Sequence, residues 1–323
     1  MGARKNRKQD DKKEDIIVTR YFHMNKQEVT LQSRDEYNLS LAVFLAKEPK
    51  ANVMFIHGME EYKERYDKFA SYLQERGYNV FTSDLRGHGK NAPKLSHIAD
   101  KDGDKLIIQD QQEITKYIEE NHKGLPLYIF AHSMGTIITR VLLQSDSEKY
   151  SKVALSGYVN PNPASGIGLG LTNFIKAFKK PTGHSKMINN LAVGQFSKAI
   201  KDAKTPLDWL SYNEENVQNY INDPLCGVEF TLGSFATLFG LMKDMGNAKK
   251  YQNVNSNMPI LLIAGDADPC TGYEKGRKAS LDNLHEAGFK DVSVITLEHM
   301  RHEILNEVEN LIVYDDILKF FDK

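Results

Sequence analysis

The sequence predicts an α/β fold, a mostly parallel central sheet flanked by helices on both faces, with a helical segment inserted late in the chain. Three observations carry this reading. Short apolar runs alternate with segments of helical periodicity, the pattern of a sheet whose crossovers are helices. The 323 residues can bury a core of that size. Between residues 157 and 257 the alternation stops, and helical patterns broken by glycine take over.

The chain opens on MGARKNRKQDDKKED, and residues 1–20 are read as a polar, flexible tail. The stretch lacks the apolar run of a secretory leader, and Asn6 stands where an N-myristoylation motif wants Ser or Thr. Glu28–Gln32 and Leu39–Leu45 alternate apolar and polar residues around Arg34-Asp35-Glu36, which predicts an edge hairpin. Strands are then predicted at Val53–Ile56, Asn79–Thr82, Leu127–Phe130, Val153–Leu155, Ile260–Ala264 and Val292–Thr296. Helical spacing marks Tyr66–Glu75 and Lys105–Glu120, and also a C-terminal stretch with Ile304, Leu305, Val308, Leu311, Ile312 and Ile317 on one face. The core is thus assigned to residues 21–156 and 258–323. Residues 157–257 are assigned to an inserted helical cap.

Composition excludes some classes of function. Lys and Arg total 42 against 43 Asp and Glu, a net charge of −1, whereas nucleic-acid binding needs an excess of positive charge. Cys226 and Cys270 make no disulfide framework and fit a reducing, cytoplasmic setting. No group of His, Cys, Asp or Glu has metal-ligand spacing, and Gly166, Gly168 and Gly170 do not follow a strand as a nucleotide loop does. No metal or cofactor is expected. The apolar stretch Leu225–Met242 carries Glu229 and is too interrupted to span a membrane.

The segment from Leu127 to Leu143 runs from a buried strand straight into a helix, with Ser133 at the turn and small residues, Ala131 and Gly135, two positions either side. A sharp turn that exposes a nucleophilic serine needs small residues there, because strand and helix backbones approach closely. Gly183-His184-Ser185 shares some letters but follows no strand and lacks the closing glycine, so it is assigned to a surface loop. A serine hydroxyl needs a base, and the base an orienting acid. Asp266 and Asp268 follow one later strand and His299 and His302 follow the next, at carboxyl ends where α/β sheets place their sites. The residues alone leave one member of each pair as a bystander. An oxyanion formed at Ser133 needs two N–H donors. These are assigned to Met134, after the nucleophile, and to Met59, after the third strand, with Gly58 letting that backbone come close. His132 is assigned to the substrate site.

Together these segments resemble the monoglyceride lipase and bacterial lysophospholipase branch of the α/β hydrolases, also labelled serine aminopeptidase-like. The matching pieces are Phe55-Ile56-His57-Gly58-Met59 with Glu60, Glu61 and Arg65-Tyr66, then Asp84-Leu85-Arg86-Gly87-His88-Gly89, Ala131-His132-Ser133-Met134-Gly135, Gly265-Asp266-Ala267-Asp268 and Arg301-His302-Glu303. Ala131 departs from the glycine usual there. The resemblance implies the α/β-hydrolase fold and a triad of Ser133, Asp268 and His302, with Glu307 a few residues beyond the base. Asp266 then caps a turn and His299 is a loop residue. In the cap, Thr205–Ser211 and Asp223–Gly227 resemble bacterial lysophospholipases.

The expectation is a serine esterase for carboxylic esters with one aliphatic acyl chain, a monoacylglycerol or lysophospholipid. Phe235 and Leu238 are assigned to the acyl pocket, and the cap to transient contact with a membrane surface. Two alternatives stand beside it: a prolyl-type aminopeptidase with the same triad, which needs an acidic cluster to hold a substrate amine, and a binding protein with an inactive hydrolase fold. Arg86 and His88 are read as local hydrogen-bonding residues, and Cys270 as a small buried hydrophobe.

Overall fold

A computed structural model describes residues 26–323. The tail assigned to residues 1–20 lies outside the described residues. The sheet has eight described strands in the order β1-β2-β4-β3-β5-β6-β7-β8. These are β1 (Lys26–Gln32), β2 (Asn38–Phe44), β3 (Ala51–Ile56), β4 (Tyr78–Ser83), β5 (Leu127–His132), β6 (Lys152–Ser156), β7 (Ile260–Gly265) and β8 (Val292–Leu297). β3 to β8 run parallel, while β1 and β2 form the antiparallel hairpin at one edge and β2 pairs antiparallel with β4.

Position in the sheet explains composition. β3, β4, β5 and β7 are buried along their whole length and read as mostly apolar runs, interrupted by Asn52, Asn79 and His132. The edge strands β1 and β8 are buried only in part. One face is covered by α1 (Asp67–Gln74) and α9 (Asn310–Asp322), whose Phe69, Leu73, Ile317 and Phe321 pack on Phe55, Tyr128 and Phe130. The other is covered by α2 (Gly103–Asn121), α3 (Met134–Asp146) and α8 (Tyr273–Glu286), with Ile107, Ile114, Ile138 and Leu142 against Met54 and Ile129.

Between β6 and β7 lie α4 (Ser165–Phe178), α5 (Lys186–Ala192), α6 (Glu214–Asn222) and α7 (Leu232–Met245), joined by irregular chain. α7 is largely buried and joins the main core. α4 and α5 instead present Ile167, Phe174, Phe178, Met187 and Leu191 to solvent. No helix among the described residues is long and apolar enough to cross a membrane.

The C-terminal periodicity was misleading. Residues 304–306 form a single 3₁₀ turn, Glu307 is extended at φ −70°, ψ 166°, and α9 begins only at Asn310. Its buried face is Val313, Tyr314, Ile317, Phe320 and Phe321, while Val308, Leu311 and Ile312 are exposed. The extended residue resets the helical phase, so apolar positions before and after it do not share a face.

Candidate active site

The loops after β3, β5, β7 and β8 converge at the carboxyl edge of the parallel strands. Ser133 joins β5 to α3 at φ 51°, ψ −120°, a conformation that a residue with a Cβ adopts only under strain. The turn holds because its neighbours are small. A Cβ on Gly135 would stand 2.1 Å from the Ile56 carbonyl oxygen, so glycine lets α3 lie against β3. Ala131 is fully buried, and the structure accommodates its methyl group. A Cβ on Gly58 would meet Glu61 Oε1 at 2.6 Å and Ser133 Cβ at 3.0 Å, which keeps the loop after β3 close to the serine.

The Ser133 hydroxyl lies 2.8 Å from His302 Nε2, and His302 Nδ1 lies 2.9 Å from Asp268 Oδ2. Asp268 and His302 are both buried. The other Asp268 oxygen accepts the Cys270 N–H at 2.8 Å, which fixes the carboxylate. Burial alone would lower the His302 pKa, but the charge and hydrogen bond of Asp268 outweigh it and hold the imidazole above its ordinary value. Asp266 instead accepts the His299 N–H, and the His299 side chain is exposed beside Glu298. Ser185 precedes α5 in the insertion.

Neither the Met59 nor the Met134 amide has a hydrogen-bond partner among the described residues. Two histidines brace the loop that carries Met59. His57 Nε2 accepts the Leu85 N–H at 2.9 Å, so its Nδ1–H donates to the Gly58 carbonyl. His88 Nε2 accepts the Glu60 N–H at 3.3 Å. Burial lowers the pKa of both, His88 to about 3, so they stay neutral and serve as fixed acceptors. His132 is also held neutral, at about 3, by burial and then by His302, whose ring is 4.7 Å away.

A charged network that sequence reasoning missed lies behind the site. Arg65 donates to both oxygens of Glu303 at 2.7 Å and to Glu61 at 2.8 Å. Glu61 also accepts the Gly58 N–H at 2.6 Å and the Tyr66 hydroxyl at 2.7 Å, and Asn216 of α6 donates to Glu303 at 2.7 Å. Burial opposes ionisation of Glu303, yet Arg65 overrides it and holds this carboxyl well below the ordinary range. The insertion contacts the base directly as well. Trp209 lies 5.0 Å from the His302 ring, and the Glu303 N–H donates to the Leu210 carbonyl at 2.7 Å. Glu61 and Arg65 share one motif, but Glu303 lies 238 residues beyond Arg65 in another, so spacing gave no hint that the three meet.

Ser133 and His302 open into a cavity of about 400 Å³. Ile137, Val159, Leu238 and Met242 line it, as do Gly58, Met59, His132, Met134 and the carboxylates Glu60 and Glu229. Phe235 does not line it. One turn from Leu238, its side chain is fully buried with the ring 5.7 Å from Phe230, which corrects its assignment to the acyl pocket. Asp268, Cys270 and His302 bring donor atoms within 4.8 Å of one another, a grouping that sequence spacing did not reveal. Both imidazole nitrogens already serve Ser133 and Asp268, and burial followed by the Asp268 charge pushes the Cys270 thiol well above its ordinary pKa. These are poor terms for binding a metal.

Residues 47–309 match the family described as "Serine aminopeptidase, S33". The chain belongs to this family. Within the α/β hydrolases it falls in the branch that holds the monoglyceride lipases. It is 25% identical over 271 residues to a monoacylglycerol lipase of Mycolicibacterium smegmatis, covering 84% of this chain and 87% of that one. It is also 25% identical to the human monoglyceride lipase, covering 83% and 81%. Among solved structures, a highly thermostable carboxyl esterase from Bacillus coagulans, in complex with glycerol, superposes with a TM-score of 0.85 at 26% identity, covering 93% of this chain and 98% of that one.

Proposed function

We propose that the protein is a carboxylic ester hydrolase for substrates with one aliphatic acyl chain, of the monoacylglycerol or lysophospholipid kind. The observation that carries this is the unbroken hydrogen-bonded line from buried Asp268 through His302 to Ser133, opening into a cavity with an apolar wall. In this reading His302 Nε2 takes the hydroxyl proton as Ser133 Oγ attacks the ester carbonyl. The tetrahedral oxyanion is held by the Met59 and Met134 N–H groups, both free of other partners among the described residues. The imidazolium gives its proton to the departing alcohol. Water, deprotonated by the same nitrogen, then cleaves the acyl-enzyme and frees the fatty acid. Residues 157–257, in this reading, cap the site and supply part of the acyl wall.

The pH profile tests the base. Catalysis needs neutral His302, whose pKa is raised, so the protonated form persists to higher pH than usual. Activity should fall on the acid side with a midpoint above the ordinary histidine value of ~6.5. Asp268→Asn removes the group that raises it. The limb should move to lower pH, and kcat should fall by roughly 10³–10⁴. Glu60 titrates nearby, at about 7, so the profile is repeated in Glu60→Gln. An acid limb unmoved by Asp268→Asn would remove Asp268 from the role.

Acyl-chain dependence tests the pocket. Leu238 lies in the cavity wall, and each methylene buried there contributes ~0.8 kcal/mol. Leu238→Asp should cost dodecanoyl esters one to two orders of magnitude in kcat/KM, about the worth of two or three methylenes, and acetyl esters little. An equal loss on both would mean that this wall stabilises the protein without reading the chain.

A further inference from the structure

Four carboxylates line the cavity that holds Ser133: Glu61 and Glu303 are paired with Arg65, whereas Glu60 and Glu229 have no cationic partner among the described residues. Glu60 follows Met59 in the loop after β3 and stands at φ 57°, a left-handed conformation in which glycine would be favoured. It carries a side chain there despite the strain, and it lines the cavity. α6 and the segment after it grip this residue. Gly227 N–H and the Tyr220 hydroxyl donate to the Glu60 carbonyl at 2.9 and 2.8 Å, and the Phe230 N–H donates to Glu60 Oε1 at 3.0 Å. This puts Glu229 beside Glu60. Glu229 Oε1 is shielded from solvent and has no hydrogen-bond partner among the described residues. A carboxylate taken out of water is costly unless it is paired. Arg65, the nearest guanidinium in sequence, is committed to Glu61 and Glu303. Burial pushes the Glu60 carboxyl up to about 7, and Glu229, of like charge, adds to the shift.

We infer that Glu60 and Glu229 are specificity-determining residues that receive a positively charged nitrogen, so that the favoured substrates are fatty-acyl esters of alcohols bearing an ammonium group. The inference rests on the ester-hydrolase reading and narrows it. Ile137, Val159, Leu238 and Met242 give the hydrocarbon chain its place, which leaves the nitrogen to the alcohol side of the ester. A bound cation supplies the charge complement that the protein itself withholds from the pair.

The test is a comparison of two soluble esters of the same shape. One is hexanoylcholine. The other is its uncharged isostere, in which a tert-butyl group replaces the trimethylammonium. Wild-type enzyme should favour the choline ester in kcat/KM by roughly tenfold or more, the scale of a close charge pair. Glu60→Gln and Glu229→Gln should each reduce that ratio, and the double variant should bring it close to one. Hexyltrimethylammonium should inhibit wild-type turnover of the isostere more strongly than hexanol does, a measurement that needs no variant to fold. A wild-type ratio at or below one, or a ratio unchanged in the double variant, overturns the inference while leaving ester hydrolysis standing. Turnover of an amino-acid anilide without turnover of the choline ester would move the nitrogen to the acyl side and overturn it too. Hydrolysis of neither ester, with no fluorophosphonate adduct at Ser133, would overturn the ester-hydrolase reading itself.

Discussion

Replacing Ser133 by alanine should lower kcat by ~10⁴–10⁶ while leaving the protein folded. The loss should be this large because the residues act as a unit: without Oγ, His302 has no proton to take, and only the amides and the cavity remain to favour water's attack. The turn itself should survive. Ala131 and Gly135 keep the strand and helix backbones in contact, and alanine bears the same left-handed conformation as serine with no added bulk. Ser185→Ala is the control. That serine precedes α5, while the His302 Nε2 is occupied by Ser133. A fluorophosphonate should label wild-type protein once, on the peptide carrying Ser133, and should not label the alanine variant. Label on Ser185, or turnover by Ser133→Ala within tenfold of wild type, would defeat the assignment.

The second large effect concerns stability. Arg65→Met should destabilise the protein by about 3–5 kcal/mol, because it strands Glu303 and Glu61 without their guanidinium partner. Thermal unfolding should shift down by several degrees. Arg65→Met combined with Glu303→Leu should recover part of the loss, since the double change leaves one fewer buried charge unpaired. A single variant within about 1 kcal/mol of wild type, measured by urea unfolding, would mean that water or a shifted side chain replaces Arg65 at little cost.

What could be read from the sequence depended on how local its cause was. Strands such as the Val53–Ile56 part of β3 and Ile260–Gly265 were legible because burial on both faces demands an apolar run. Ser133 stood out because its turn imposes small neighbours within two residues. The stretch from Ile304 to Ile312 misled for the opposite reason. Its apolar spacing is helical, yet the Glu307 carboxylate accepts N–H groups from Arg301, Tyr212 and Asn213, and these distant partners hold the chain extended. Phe235 and Leu238 differ by three positions on one helix, and periodicity could not say which points to the cavity and which to Phe230. The Arg65 cluster and the Glu60–Glu229 pair each join segments far apart in the chain, so no window of sequence contains them.

The pairing of Val153 with Ile260 joins β6 to β7 across the whole helical insertion. Closing a loop is an entropic matter, and its cost grows only with the logarithm of length. A span of roughly 100 residues costs about 2 kcal/mol more to close than one of about 10. The sheet can therefore carry an insertion of almost any size for a nearly constant penalty, provided the insertion folds on its own surface. Ser133 lies before it, and Asp268 and His302 lie after it, on strands that meet whatever is strung between them. An exchange of the insertion leaves these three residues where they are, but it must supply again the contacts that Trp209, Leu210 and Asn216 make with His302 and Glu303.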